Sequence, residues 1–213
     1  MNRHTIKAIL FDYDDTLVKS RESVWQAHKQ TAKTYYDFEL TDEMIGRHWG
    51  KPYPEMLVGV YRNLEPYDQI HQKYMAVRVN FPMKAHDESV GVLNQLLDNY
   101  TVGIVTAANR QLIELDLQRL NFPVERMALI QTADDTTVHK PDPKVFDQAL
   151  KKLAKKRIKP TEVLYVGDDL SDYQAASGAG LQFVGIVRNG INPFENYQIK
   201  IINSLKKLVE IHD

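Results

Sequence analysis

Carboxylates gather in two short stretches of this 213-residue chain, Asp12-Tyr13-Asp14-Asp15-Thr16 and Gly167-Asp168-Asp169-Leu170-Ser171-Asp172. Between them in sequence stand a hydroxyl, in Thr106-Ala107-Ala108-Asn109-Arg110, and an ammonium, in Lys140-Pro141-Asp142-Pro143. Carboxylates brought to one point resist ionising together unless a cation joins them. Oxygen ligands of hard charge favour Mg²⁺, which keeps some waters and is shared with substrate phosphate. The metal, Lys140 and the Thr106 hydroxyl would together meet the charge of a phosphoryl group. Each piece alone has an ordinary explanation: a polar turn for Asp12 to Thr16, a helix cap for Thr106, a loop at Lys140, a turn at Gly167-Asp168-Asp169. Taken together and in order, they point to phosphoryl transfer.

The elements that must position these residues are legible around them. Four apolar runs rich in β-branched residues, Ile6–Phe11, Val102–Thr106, Val163–Val166 and Phe183–Val187, read as strands covered on both faces, with a weaker fifth at Met127–Ile130. Helical spacing of apolar residues predicts helices over Glu88–Asn99, over Gln111–Leu120 with Leu112, Ile113, Leu115, Leu117 and Leu120 inward, from Pro143 onward, and over Ile202–Ile211. Alternating strands and helices imply an α/β fold with a Rossmann-like parallel sheet, in which ligands bind outside the carboxyl ends of the strands. After Leu17 the alternation is interrupted by helical stretches at Ser20–Asp37, Thr41–His48 (Thr41 as N-cap), Pro54–Asn63 and Tyr67–Phe81. They form a helical insertion, residues 18–83, within a core of residues 1–17 and 84–213.

Composition narrows the function classes. A formal net charge of −1 gives no electrostatic case for nucleic acid or an acidic membrane surface, so attraction for an anionic substrate must be local. The absence of cysteine excludes disulfides and thiolate metal sites and fits a cytoplasmic setting. The N-terminal apolar stretch is too short for a signal peptide or anchor, and no run of roughly 18 apolar residues marks a membrane span. The lysines at 151–159 read as a solvated helix face.

At FDYDDTL, IVTAAN, KPDP and VGDDLSD the chain resembles the haloacid dehalogenase-like superfamily, and within it the phosphoglycolate phosphatase and β-phosphoglucomutase group. The resemblance covers nearly the whole chain, and the insertion looks like that superfamily's helical C1 cap. Two departures stand out: Asp15 where glycine is common, and Met83-Lys84-Ala85-His86-Asp87 where many relatives carry a Pro-Gly turn.

The resemblance implies roles. Asp12 attacks phosphorus to give an aspartyl phosphate; Asp14 protonates the leaving oxygen and then deprotonates water. Thr106 and Lys140 hold and neutralise the phosphoryl group, with Ala107 and Asn109 beside it. Mg²⁺ is bound by Asp12, Asp14 through its backbone carbonyl, and Asp168, with Asp169 or Asp172 in support. Asp14 favours phosphate chemistry over dehalogenation, which needs no proton delivered to a halide. Arg47, His48, Trp49 and Lys51, in the loop after the second cap helix, are the segment expected to set specificity, with Arg47 and Lys51 touching substrate, and Arg110 could reach it from the core. The implied protein is a Mg²⁺-dependent phosphatase of a small phosphorylated metabolite, monomeric or weakly homodimeric. A phosphomutase of the β-phosphoglucomutase kind and a non-catalytic binding module are the alternatives.

Overall fold

The computed structural model describes residues 6–49, 51, 53–108, 110–188 and 192–209. The chain forms two compact units, one of residues 1–19 and 85–213, the other Ser20–Lys84. In the first unit six strands, β1 (Ala8–Phe11), β2 (Thr101–Val105), β3 (Leu129–Gln131), β4 (Val163–Gly167), β5 (Gln182–Ile186) and β6 (Lys200–Ile202), form one sheet in the order β3-β2-β1-β4-β5-β6. Every pairing is parallel. From β1 the chain builds outward to β2 and β3, then returns to lay β4, β5 and β6 on the other side. The order therefore switches between β1 and β4, where open parallel sheets leave a crevice at their carboxyl edge.

Period-two alternation explains why these runs are apolar on both faces. Ile9 and Phe11 of β1 point into one core with Ile104 and Val166, covered by α5 (Ser89–Leu96), α6 (Arg110–Arg119) and α9 (Lys206–Val209). Ala8 and Leu10 point into the opposite core with Tyr165, covered by α7 (Asp147–Ala154) and α8 (Leu170–Gly178). Pro143 opens a 3₁₀ turn, Pro143–Phe146, whose Lys144 amide donates to the Asp142 side chain at 2.9 Å, before the chain relaxes into α7.

Two expectations need correcting. Leu115 does not face the core: it is 62% exposed, because Ile113 and Leu117 four residues apart define the inner face of α6 and Leu115 lies on the other side. The expected helix from Ile202 is instead β6 followed by the short α9; three residues pairing with β5 at a sheet edge carry no period of their own. Its expected end, residues 210 and 211, lies outside the described residues, as does the side chain of Leu112.

The second unit holds α1 (Ser20–Tyr36), α2 (Asp42–Gly46), α3 (Tyr53–Val60) and α4 (Tyr67–Arg78) around Ala27, Ile45, Leu57 and Ile70. The Thr41 side chain accepts the Met44 amide at the start of α2. His28 lies fully buried in this core, stacked 4.3 Å from Tyr74 and bonded through Nδ1 to the Tyr61 hydroxyl; burial pushes it down to about 3, so the ring is neutral. Among the described residues no helix is long and apolar enough to cross a membrane.

Gly103 shows how tightly the sheet centre is set. A Cβ there would lie 2.8 Å from Leu129 Cγ and 2.9 Å from its backbone oxygen. Gly103→Ala is expected to destabilise the protein by about 1–3 kcal/mol, read as a lowered urea midpoint, whereas Leu115→Ala on the exposed side of α6 should change it by less than about 0.5 kcal/mol.

Candidate active site

The switch between β1 and β4 brings the two acidic stretches to one edge. The Asp12 amide, directly after β1, donates to the Val166 carbonyl of β4 at 2.8 Å, and Asp168 follows the last residue of β4. Lys140 reaches in from the segment after β3: its Nζ lies 2.6 Å from Asp12 Oδ1 and 2.7 Å from Asp172 Oδ1. All three side chains are at most 8% exposed. Beneath them the Tyr165 hydroxyl donates to the Val105 carbonyl at 2.8 Å and stands 3.4 Å from Asp172 Oδ1. Lys140 Nζ sits 5.3 Å from the centre of the Tyr165 ring.

Asp172 is held from two sides. Asp169 caps α8: its carboxylate accepts the Ser171 amide at 2.8 Å, while its own amide donates to Asp172 Oδ2 at 3.1 Å. The Asp172 amide also meets the Asp169 carboxylate, which completes the capping box that a carboxylate three residues after an Asp N-cap can make. Gly167 makes room for it, since a Cβ there would lie 2.3 Å from Asp172 Oδ2.

Carboxylate oxygens of Asp12, Asp168 and Asp172 all lie within 4.8 Å of one another. Three carboxylates face one ammonium, an excess of two negative charges in a buried place. Burial pushes the Asp12 carboxyl up to about 8 although Lys140 pulls it down, with Asp172 and Asp14 adding to the rise. Burial, then Asp12, Asp172, Asp15 and Asp169, push Asp168 well above the carboxylate range. Burial opposes charge on Lys140, but Asp12 and Asp172 outweigh it and hold it above the ordinary lysine value. An oxygen-only donor set with excess negative charge fits a hard divalent cation. Asp172 has both oxygens engaged, by Lys140 and by the Asp169 amide; Asp168 accepts only a 3.4 Å bond from the Thr16 hydroxyl among the bonds described.

The remaining expected residues belong to both units. Asp14 is half-buried and close enough to act on Asp12. Thr106, 3% exposed, follows β2 at the same edge; its oxygen accepts the Ala108 amide at 3.0 Å, leaving the hydroxyl proton to donate. Ala107 is exposed beside it. Asn109 lies outside the described residues. Arg110 is tied to Glu114 at 2.8 Å and to Asp135, so it laces the loops after β2 and β3. Asp169, expected as a metal ligand, is not in the acidic triad; its carboxylate caps α8, and Asp172 takes the third place. In the helical unit, Arg47 and Lys51 are exposed and paired within their own segment, to Glu43 at 2.6 Å and Glu55 at 3.0 Å. Trp49 packs edge-on against Trp25, 5.6 Å away. Sequence reasoning passed over Tyr165, although a lone phenol in an otherwise aliphatic buried strand must find a hydrogen-bond partner.

Asp15 adopts φ 49°, in the left-handed region that glycine enters freely. Aspartate is among the few other residues that visit it, which explains how it stands where relatives of the resembled superfamily favour glycine.

The model of a family described as haloacid dehalogenase-like hydrolase matches residues 9–186. The pyrophosphatase PpaX of Bacillus velezensis is 29% identical over 194 residues, spanning 87% of this chain and 85% of that protein. The PpaX of Bacillus cereus strain B4264 is also 29% identical, over 85% of this chain and 83% of its own. Among solved structures, a haloacid dehalogenase-like family hydrolase of Streptococcus pneumoniae superposes with a TM-score of 0.75 at 21% identity, covering 99% of this chain and 100% of that one. CbbY of Rhodobacter sphaeroides, solved with phosphate, gives 0.74 at 21%, covering 95% and 96%. At these identities the two structures share the fold.

A carboxyl held near 8 when folded and at 3.8 when not contributes stability that is complete below about pH 4 and lost as the pH rises through 8. A cation bound among the carboxylates restores what is lost. Saturating MgCl₂ is therefore expected to raise the melting temperature more at about pH 8 than at about pH 5. Thermal unfolding at both values checks this, and an equal shift at the two would contradict the charge balance described.

Proposed function

The chain belongs to the haloacid dehalogenase-like hydrolase family, and from that premise we propose that it is a Mg²⁺-dependent phosphatase acting on a small phosphorylated compound through an aspartyl-phosphate intermediate. The observation that carries the reading is the Lys140 ammonium 2.6 Å from a buried Asp12 carboxylate at the sheet's switch point. An aspartate placed there merely for stability would be better replaced by an apolar residue.

Asp12 would use a carboxylate oxygen to attack phosphorus, forming an acyl phosphate while the bond to the leaving oxygen breaks. Asp14 would give that oxygen its proton and later take one from the water that cleaves the acyl phosphate. Thr106 would donate its hydroxyl proton to a phosphoryl oxygen, and Lys140 would offset the charge on both the nucleophile and the transferred group. Asp172 and Tyr165 would hold Lys140 in place. Asp12, Asp168 and the Asp14 carbonyl would bind Mg²⁺, which when present supplies the charge that offsets the phosphoryl oxygens.

The PpaX relatives make inorganic pyrophosphate the first natural compound to try, and phosphomonoesters the second. Phosphate release from pyrophosphate and from p-nitrophenyl phosphate, with and without Mg²⁺, tests the reading. Release is expected to require Mg²⁺, and Asp12→Asn is expected to lower it by about 1,000-fold or more while circular dichroism stays unchanged. A folded Asp12→Asn protein that keeps substantial activity would overturn the nucleophile assignment.

A further inference from the structure

The carbonyls that follow the acidic loop are held by residues remote in sequence. Arg188, just beyond β5, donates through Nη2 to the Thr16 carbonyl at 2.8 Å and through Nη1 to Glu88 Oε1 at 2.6 Å. The two side chains are 8% and 13% exposed. Glu88 Oε1 also accepts the Ser204 hydroxyl at 3.2 Å and the Leu205 amide at 3.4 Å, so it is fixed independently of Arg188. Burial alone would raise this carboxyl, but Arg188 and the backbone donors bring it down to about 2, so it stays charged. The next carbonyl, Leu17, accepts the His86 amide at 3.1 Å and the Ser89 hydroxyl at 2.8 Å.

The restraint continues into the site. Thr16 is fully buried, and its hydroxyl lies 3.4 Å from Asp168 Oδ1. One residue thus has its carbonyl gripped by Arg188 and its side chain turned to a carboxylate of the acidic triad. A buried ion pair is poor evidence of stabilisation, because desolvation offsets its attraction. A guanidinium does what no apolar replacement does: its planar fork satisfies a carboxylate and a carbonyl at once and fixes their relative position.

We propose that Arg188, anchored by Glu88, is a positioning residue that sets the Asp12–Thr16 loop against Asp168 through the Thr16 carbonyl. The inference rests on the phosphatase reading above. It assigns Arg188 no contact with substrate, so its loss should lower turnover and leave substrate affinity alone.

The test uses the full chain. Wild type, Arg188→Met and Arg188→Lys are compared for kcat and KM in Mg²⁺-dependent phosphate release from p-nitrophenyl phosphate, and for amide hydrogen exchange over residues 12–18. In Arg188→Met, kcat should fall about tenfold to a hundredfold with KM within about threefold, and the loop amides should exchange faster. Arg188→Lys, which keeps the charge but has no planar fork, should recover only part of kcat, and it carries the same comparison if Arg188→Met does not fold. A folded variant with wild-type kcat, or with unchanged loop exchange, would overturn the proposal while the phosphatase reading stands. A wild-type protein that releases no phosphate would instead bring down that reading and the proposal with it.

Discussion

A single ammonium is shared by two buried carboxylates at the meeting of β1 and β4, and much of the first unit can be understood from that contact. Lys140 is 2.6 Å from Asp12 and 2.7 Å from Asp172, and all three side chains are largely shielded from water. Removing the ammonium would leave both carboxylates buried and uncompensated, a far larger penalty than the pairs' own net worth. The surroundings accordingly fix each member by other means. Val166 receives the Asp12 amide, the Asp169 amide reaches Asp172, and Gly167 has no side chain to displace it.

The fold contributes an edge at which such a cluster can exist. Parallel strands end together, and the reversal of strand order after β1 leaves their carboxyl ends uncovered by crossover connections. Residues at strand ends need not match the apolar alternation that the buried strands demand, so charged side chains can collect there without disturbing either core. The bonds that shape the edge span long stretches of sequence: Lys140 to Asp12, Arg188 to Thr16, Tyr165 to Val105. The site's geometry is therefore a property of the completed sheet.

That distinction explains what could be read from sequence. The strands are legible because burial on both faces writes itself as continuous apolar runs, and the acidic stretches are conspicuous because they interrupt those runs. The choice between Asp169 and Asp172 is not legible. Both follow β4 within a few residues, and only the phase of α8 turns one outward as a cap and the other inward to Lys140. The Arg188–Glu88 pair is hidden for a related reason: one arginine and one glutamate 100 residues apart look like any surface charges until the sheet brings them together. β6 is hidden because three residues at an edge take their conformation from β5.

The insertion also has a consequence for how the chain tolerates change. Val18 and Ala85 form an antiparallel bridge, so the segments leaving and re-entering the first unit run side by side. The helical unit is thus an excursion whose ends are already closed. Loop-closure entropy grows only logarithmically with length, about 0.6 kcal/mol for each doubling. An insertion begun and ended at such a bridge can lengthen, shorten or be exchanged without shifting the register of β1 against β2 and β4. Sequence change in the helical unit is therefore compatible with an unchanged strand register in the first.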